Sequence, residues 1–272
     1  MAVNKTEHLA KKQNKKTLFL HKVQINIDKN MKQSISNKNN DPMGAAIWDY
    51  NNKQKTAELI VKSSMFDDDM IPLETLFRNF DGMSKIERTA LELAKGHILD
   101  IGGGSGCHSL SLQEMGKDVT AIDISELSVE VMKERGVKKA LAMDFFDKSY
   151  NEKFDTIIML MNGAGIIGKL ENLEDFFSRI DSFLSPNGQV LIDSSDLKYL
   201  FEEEDGSFLI DISGDYYGEI DYLMTYKDIV GKPFDWLYID PDTFASYAEQ
   251  YGFKFSIVVE GEHFDYLAKI ER

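Results

Sequence analysis

The stretch GHILDIGGGSGCHSLSLQEMG, residues 96–116, decides which fold the rest of the sequence can adopt. Its apolar run ends at Asp100, five small residues follow at 102–106, and helical spacing resumes after them. A glycine-rich turn between a strand and a helix lets a ligand approach the backbone and the helix N-terminus. The stretch therefore predicts a strand, a ligand-binding turn and a helix, in that order.

The spacing of the glycines separates two classes of cofactor. Enzymes that bind dinucleotides use the pattern G-x-G-x-x-G at this turn. Here Gly102, Gly104 and Gly106 spell G-x-G-x-G, and the position that would complete the dinucleotide pattern is Cys107. The spacing disfavours a dinucleotide without excluding one.

Strands and helices alternate on both sides of this turn. Helices are predicted over 82–96, 105–115, 125–136 and 172–184, and strands over 97–101, 118–123, 137–145, 154–162 and 187–195. Short strands separated by amphipathic helices are typical of a parallel, doubly wound α/β sheet.

The C-terminal part has a different pattern. Residues 218–240 alternate like an antiparallel hairpin that turns near 231–233, and a helix is predicted over 241–251. Only Gly261 and Glu262 separate two last strands, 253–260 and 263–271, so these strands must run antiparallel. We therefore expect an antiparallel hairpin insertion and an antiparallel end to the sheet.

Three acidic residues stand at the ends of the first three strands of the sheet. Asp100, Asp123 and Asp144 should meet at one crevice, because the carboxyl ends of parallel strands lie at one edge. Carboxylates there would repel a pyrophosphate by about 1–4 kcal/mol per close pair and attract a cation. Asp123 also follows the glycines by about 20 residues, the offset at which an acid binds a ribose. Asp100 and Asp144 have a plainer alternative role, as hydrogen-bond acceptors that cap the adjoining turns.

These residues resemble the motifs of the class I S-adenosylmethionine-dependent methyltransferases over about residues 80–272. ILDIGGGSG (98–106) looks like the first motif, VTAIDIS (119–125) the second, AMDFF (142–146) the third, DTIIMLMNG (155–163) the fourth, and LSPNGQVLID (184–193) the turn that enters the fifth strand. The run from MNGAGIIGKLENL to DSSD is similar to small-molecule-type bacterial members. The resemblance implies a seven-stranded Rossmann-like sheet, mostly parallel with a reversed last strand, and S-adenosyl-L-methionine as cofactor.

The same resemblance implies a set of cofactor-binding residues. Asp123 would bind the ribose, Ile124 would lie beside the adenine, and Met143 or Phe145 would pack against the ring. Asp144 would lie near the adenine amino group. The full set is Asp100, Gly102, Gly104, Gly106, Asp123, Ile124, Met143, Asp144, Phe145 and Met161.

The implied reaction is methyl transfer to a small-molecule O or N acceptor by in-line displacement. Because the sulfonium leaving group is already activated, alignment matters most and a general base is optional. Three side chains are candidates for a catalytic role: His108, Tyr50 and Asn162. Each has a structural alternative, respectively a locally packed helix residue, a packing aromatic, and part of a turn required by its glycines.

Charge is unevenly distributed along the 272 residues. Residues 1–40 carry nine lysines and two acids, and the remaining residues carry a net charge of −22, which gives −15 in total. An acidic body disfavours nucleic acid as a partner. The single cysteine, the lack of metal-ligand spacing and the lack of a long apolar run predict a cytoplasmic protein without bound metal or membrane contact. Its oligomeric state is left open between monomer and homodimer.

The sequence divides into segments with distinct expected roles. Residues 1–40 are predicted to be a basic, disordered leader, and residues 41–272 the methyltransferase domain. Within that domain we expect an N-terminal helical cap (41–96), a cofactor-binding core (97–196), an acceptor lid (197–240) and a last helix with an antiparallel strand pair (241–272). The hairpin in 197–240 has an alternative role as a dimer interface.

Two other functions remain open from the sequence. The same fold serves as a non-catalytic module that binds S-adenosylmethionine or a partner. A similar sheet also serves NAD-dependent oxidoreductases, which the glycine spacing disfavours.

Overall fold

The structure, a computed structural model, describes residues 39–203, 205–209 and 214–272. The leader predicted over 1–40 therefore lies almost entirely outside the described residues. The strands span β1 (Leu59–Lys62), β2 (Asp69–Ile71), β3 (His97–Ile101), β4 (Asp118–Asp123), β5 (Ala140–Ala142), β6 (Phe154–Met159), β7 (Leu184–Ser195), β8 (Glu219–Tyr226), β9 (Ile229–Val230), β10 (Phe234–Leu237), β11 (Lys254–Glu260) and β12 (Asp265–Glu271). The helices span α1 (Pro42–Asn51), α2 (Leu73–Leu76), α3 (Lys85–Leu93), α4 (Cys107–Glu114), α5 (Glu126–Arg135), α6 (Leu173–Phe183) and α7 (Pro241–Gln250).

Seven strands form the central sheet, in the spatial order β11-β12-β7-β6-β3-β4-β5. The strands from β3 to β7 pair in parallel. The last strand, β12, lies between β7 and β11 and runs antiparallel to both. The predicted α/β sheet, mostly parallel with a reversed last strand, is confirmed.

Helices cover both faces of this sheet, as a doubly wound fold requires. Leu91 of α3 and Leu112 of α4 pack on one face together with Ile98 of β3. On the opposite face, α6 and α7 contribute Phe183 and Phe244 to a second and larger cluster. Because both faces are covered, the inner strands are apolar along nearly their whole length.

A second, smaller sheet has the strand order β10-β8-β1-β2, with β9 also paired to β8. It joins the two strands that precede β3 to the hairpin that follows β7, through pairs such as Leu59 with Tyr226. The helical cap predicted over 41–96 is therefore wrong in part, since that segment also holds two strands. These strands are too short to show clear alternation, and their partner lies far along the chain.

The hairpin in the insertion turns earlier than the sequence predicted. The chain reverses at Lys227 and Asp228, with Lys227 in a left-handed conformation at φ 53°. Gly231, which was expected to make the turn, serves a different purpose. A Cβ atom on Gly231 would lie 3.1 Å from Cγ of Pro42, so glycine allows the returning strand to pass close to α1.

The third strand of the predicted core is shorter than the expected 137–145. The Val137 N–H donates to the Met132 carbonyl and completes the end of α5, while the Asp147 N–H donates to the Asp144 carbonyl in a turn. Only Ala140–Ala142 is left to pair with β4. The helix predicted from residue 105 likewise begins at Cys107, because Gly106 is still part of the preceding turn.

Short 3₁₀ turns lie at Phe80–Gly82, Gly163–Ile167, Leu170–Asn172 and Leu197–Phe201.

Within the described ranges, no helix has both the length and the apolar character needed to cross a membrane. The same residues contain no group of three or more His, Cys, Asp or Glu side chains placed to hold a metal ion.

Candidate functional site

The glycine turn joins β3 to α4 and depends on left-handed backbone at Gly102 (φ 74°), Gly104 (φ 54°) and Gly106 (φ 85°). Its first N–H, from Gly102, donates to the Ile122 carbonyl of β4 at 2.9 Å. A Cβ atom on Gly106 would lie 2.8 Å from Cγ2 of Val137, whereas one on Gly104 would meet nothing closer than 3.9 Å. Gly106 is therefore required for packing, whereas a Cβ atom on Gly104 would make only ordinary van der Waals contacts.

Asp123, at the end of β4, points to this turn. Its Oδ2 accepts the Gly104 N–H at 2.8 Å, and its Oδ1 accepts the Ser125 N–H at 2.8 Å. Burial, together with the nearby charges of Asp41 and Asp100, raises the pKa of Asp123 to about 6. Each carboxylate oxygen has a second lone pair, so Asp123 keeps the capacity to accept hydrogen bonds from a ligand.

The three carboxylates that the sequence placed around one crevice differ in burial and in hydrogen-bond partners. Asp100 is 1% exposed, and its Oδ2 accepts a hydrogen bond from Ser109 Oγ of α4 at 2.6 Å. Asp144 is also buried and accepts the Phe146 N–H at 2.9 Å. The three strand ends do meet, but Asp100 and Asp144 stabilise the adjoining helix and turn, and only Asp123 is left half-buried at the glycine turn.

Met143 and Phe145 are both buried in the larger hydrophobic cluster and differ in their other contacts. The Met143 N–H donates to the Asp123 carbonyl at 2.8 Å, which keeps Met143 beside the end of β4. The ring centroid of Phe145 lies 6.0 Å from those of Phe176 and Phe183. Ile124, next along the chain from Asp123, is half-buried.

The segment after β6 lies over the glycine turn. Met161 (φ 68°) and Asn162 (φ 56°) both have left-handed backbone, and Met161 is 38% exposed. Cδ1 of Ile166 lies 3.1 Å from the position of a Cβ atom on Gly102. Gly165 is covered so closely by the Trp236 indole of β10 that a Cβ atom there would lie within 2 Å of the ring. The smaller sheet is therefore packed directly against the segment that follows β6.

His108 is buried beneath the glycine turn rather than free beside it. Its Nε2 lies 2.7 Å from Oε1 of Glu87 in α3, and Arg78 forms an ion pair with the same carboxylate. Although burial opposes it, the hydrogen bond with His108 lowers the pKa of Glu87 to about 2. This geometry favours a packing role for His108 over that of a general base.

Helix α1 packs against α5 beside the crevice. Asp41 caps α1 by accepting the Gly44 N–H at 2.8 Å, and it also accepts a hydrogen bond from Ser125 Oγ. Tyr50, near the end of α1, packs against Phe77 with a centroid distance of 4.6 Å and an angle of 32° between the rings. This contact fits the packing role that is the structural alternative for Tyr50, and its catalytic role stays a prediction.

Comparison with known proteins agrees with this geometry. A family model described as a methyltransferase domain matches residues 99–192. A solved SAM-dependent methyltransferase from Bacteroides fragilis, in complex with S-adenosyl-L-homocysteine, is 57% identical to this chain with a TM-score of 0.84. The similarity covers 89% of this chain and 98% of that one. The chain belongs to the SAM-dependent methyltransferases. S-adenosylmethionine is accordingly its cofactor.

More distant relatives of the methyltransferase differ in acceptor. A ubiquinone biosynthesis O-methyltransferase from Rickettsia conorii is 26% identical over 113 residues, or 40% of this chain and 38% of that protein. The chain thus spans less than half the length of that curated relative. A sugar N-methyltransferase from Streptoalloteichus shares the fold, with a TM-score of 0.51 and 16% identity over 78% of this chain and 97% of that one.

Sequence reasoning did not predict several contacts around this candidate site. The pair Asp41–Pro42 could have identified the start of α1, since Asp is a favoured N-cap and Pro a favoured first residue. Trp236 lies in the segment predicted as the acceptor lid and Asp193 in the DSSD run, but their contacts with Gly165 and Gly163 depend on the fold and leave no local signal.

Proposed function

We propose that this methyltransferase transfers a methyl group from S-adenosylmethionine to an oxygen or nitrogen atom of a small molecule by in-line displacement. The observation that carries the proposal is the cover over the segment after β6, where Trp236 packs on Gly165. Close packing of the smaller sheet on this segment favours a small acceptor over a polymer. We accordingly propose that residues 197–240 act as the acceptor lid.

The residues at the glycine turn fit the cofactor. The uncrowded backbone at Gly104 and the spare acceptor capacity of Asp123 support binding of the cofactor ribose at this point. Met143 and Phe145 are the two candidates to pack against the adenine ring. Because Met143 lies beside Asp123, we favour Met143 over Phe145. Gly102 and Gly106 shape the turn, and Met161 borders the acceptor side. Ile124 keeps its proposed place beside the adenine, and Asp100 and Asp144 act through the helix and turn that they stabilise.

Aromatic and acidic side chains characterise the acceptor side. The half-buried rings of Phe234, Trp236 and Tyr222 lie in contact with one another along the smaller sheet. The hydroxyl groups of Tyr222 and Tyr238 are 3.1 Å apart, so one of the two protons is left to donate elsewhere. Such a wall suits a small organic acceptor that combines an apolar body with one or two polar groups.

The chain's own contribution to the reaction is alignment and the exclusion of water. The bound cofactor supplies an electrophilic methyl group on a sulfonium. Holding the acceptor atom in line with it contributes about 7–11 kcal/mol when the reactants are well oriented. No general base is required of His108, whose Nε2 is already paired with Glu87.

Two measurements test the proposal. Isothermal titration should show binding of S-adenosyl-L-homocysteine and none of NAD, and binding of NAD alone would exclude the assignment. Release of S-adenosyl-L-homocysteine should then be measured with pools of phenols, catechols, sugars and amines as acceptors. Cofactor binding without release from any pool would favour a non-catalytic binding module.

A further inference from the structure

The backbone that ends β6 is held in an unfavourable conformation. Met161 and Asn162 are consecutive residues other than glycine with left-handed backbone, at φ 68° and 56°. A residue other than glycine in this conformation is strained and persists only where its surroundings impose it. The neighbouring strand β7 provides the contacts that do so.

Asp193 of β7 binds the end of β6 through both of its carboxylate oxygens. Oδ2 accepts the Asn162 N–H at 3.0 Å, and Oδ1 accepts the Gly163 N–H at 2.8 Å. Two residues further along β7, Ser195 Oγ donates to the side-chain oxygen of Asn162 at 2.8 Å. One strand thus fixes both the backbone and the carboxamide of Asn162.

Gly163 is the residue that makes this arrangement possible. A Cβ atom on Gly163 would lie 2.7 Å from Cβ of Met159 and 3.6 Å from Oδ1 of Asp193. Any larger residue would push the turn away from the carboxylate. The turn and Asp193 therefore form one unit, in which Asp193 is 8% exposed.

From this geometry we infer that Asp193 is a positioning residue for methyl transfer: it holds the Met161–Gly163 turn so that the Asn162 carboxamide is presented to the acceptor. This inference rests on the proposed function, because it assigns the acceptor to the segment after β6. Asp193 acts through Asn162 and does not itself touch the reacting atoms.

The charge state of Asp193 is sensitive to its surroundings. Burial raises the pKa of Asp193 to about 6, against the opposing effect of the two N–H donors. His108 favours the ionised form and Glu87 disfavours it, while Tyr238 and Tyr266 lie close enough for Asp193 to raise their own pKa values. An ionised carboxylate accepts both N–H groups, and protonation weakens the pair of bonds.

Amide hydrogen exchange on the full chain, measured residue by residue, tests the inference without knowledge of the acceptor. In Asp193→Asn, exchange at Asn162 and Gly163 should become about 10- to 100-fold faster, as expected for losing bonds to a charged acceptor. Asp155→Asn is the matched control, since Asp155 Oδ2 accepts the His97 N–H at 2.9 Å at the other end of the sheet. The control should leave Asn162 and Gly163 unchanged. Unchanged exchange at these two residues in Asp193→Asn overturns the inference.

A second test measures amide protection in the wild-type protein, and so does not require the Asp193→Asn variant to fold. Protection of the Asn162 and Gly163 amides, corrected for the intrinsic pH dependence of exchange, should fall as the pH is lowered through about 6. Constant protection between pH 5 and 7.5 overturns the inference.

Kinetics with an acceptor found in the pool screen separate positioning from general stability. Asp193→Asn should lower kcat by about 10²-fold, as expected for a displaced reacting group, with KM for S-adenosylmethionine unchanged. Its pH–rate profile should lack the wild-type step near 6. An equal loss of affinity for S-adenosyl-L-homocysteine would overturn the inference. Failure of the wild-type protein to release product with any pool would count against the proposed function instead, and the exchange results would still decide the position of the turn.

Discussion

Asp123 joins two parts of the molecule that approach the cofactor crevice. Its carboxylate accepts N–H groups from the glycine turn and from the start of α5, through Gly104 and Ser125. Because both donors belong to backbone, the carboxylate is fixed in position before any ligand binds. This preorganisation reduces the conformational entropy that the Asp123 side chain would otherwise lose when a ribose binds.

Replacing Asp123 with Asn should weaken binding of S-adenosyl-L-homocysteine by about 10- to 150-fold, since hydrogen bonds to a charged group contribute roughly 1.5–3 kcal/mol. Isothermal titration provides the measurement. Asp118→Asn, at the exposed start of the same strand, is the matched control and should bind normally. Wild-type affinity should also fall as the pH drops through about 6, the raised pKa of Asp123, and the Asp123→Asn affinity should not. Equal affinities for wild type and Asp123→Asn would remove Asp123 from the site.

Gly106→Ala should destabilise the protein more than Gly116→Ala. Both residues have left-handed backbone, at φ 85° and 78°, but only a Cβ atom on Gly106 meets close neighbours. The difference isolates the crowding against Val137 and Met132, which typically costs about 1–3 kcal/mol. Urea unfolding of the two variants measures it. An equal loss of unfolding free energy in the two variants would mean that α5 moves aside without destabilising the protein.

At the residue scale, the sequence located the site but not the direction of its side chains. The ends of β3 and β4 follow from the apolar pattern, so Asp100 and Asp123 were placed at the crevice. Which of them is free to bind a ligand depends on Ser109, whose hydroxyl group engages Asp100 from a helix that packs on the sheet. The strand pattern alone does not contain that contact.

At the scale of elements, two helix N-termini are linked at the edge of the site. Ser125 Oγ caps α5 by accepting the Ser128 N–H at 2.9 Å, and it also donates to Asp41, the cap of α1. One hydroxyl group thus fixes the cover helix to the helix that follows β4. The link lies two residues from Asp123.

Ser125→Ala should therefore affect both stability and cofactor binding. Loss of an N-cap typically costs about 0.5–2 kcal/mol, and release of α1 should reduce affinity for S-adenosyl-L-homocysteine as well. Ser84→Ala is the matched control, because Ser84 caps α3 by accepting the Glu87 N–H at 3.2 Å, away from α1. Thermal unfolding and isothermal titration should show a stability loss in both variants and an affinity loss only in Ser125→Ala. Equal affinities in the two variants would show that the link to α1 does not serve the cofactor.

The elements with strong local signals were the ones predicted correctly. Ser84 and Glu87 form a capping box at the start of α3, inside the predicted range 82–96, and β3 has the predicted bounds. The strands β1 and β2 were missed because β1 pairs with β8, a contact between distant parts of the chain, and β2 pairs only with β1. Gly231 misled the turn prediction because its glycine serves a close approach to Pro42.

For the whole molecule, buried aspartates dominate the response of stability to pH. Burial raises the pKa values of Asp100, Asp123 and Asp193, so the folded chain binds protons more tightly than the unfolded chain. Their contribution to the free energy of unfolding is complete below about pH 4, near the unfolded pKa, and is lost as the pH rises through the raised pKa of each group, about 6 for Asp123 and Asp193. Glu87 acts in the opposite direction, but its contribution is lost only as the pH falls from 4.5 towards about 2.

The protein should therefore be more stable at pH 5 than at pH 7.5, while its affinity for S-adenosyl-L-homocysteine changes in the opposite sense. Urea unfolding midpoints at the two pH values measure the first effect. The double variant Asp123→Asn with Asp193→Asn should reduce the difference between them. A wild-type protein that gains stability from pH 5 to pH 7.5 would contradict the assignment of raised pKa values.

The smaller sheet has a consequence for how the enzyme is assembled during synthesis. Its first two strands leave the ribosome early, yet β8, the strand that pairs with β1, follows the first five strands of the central sheet. Pairing between such distant segments forms late, because the intervening chain must first be ordered. The five strands from β3 to β7 are thus available to pair before the smaller sheet is complete. A nascent chain stalled before β8 would carry β1 and β2 as an unprotected edge open to pairing with other chains.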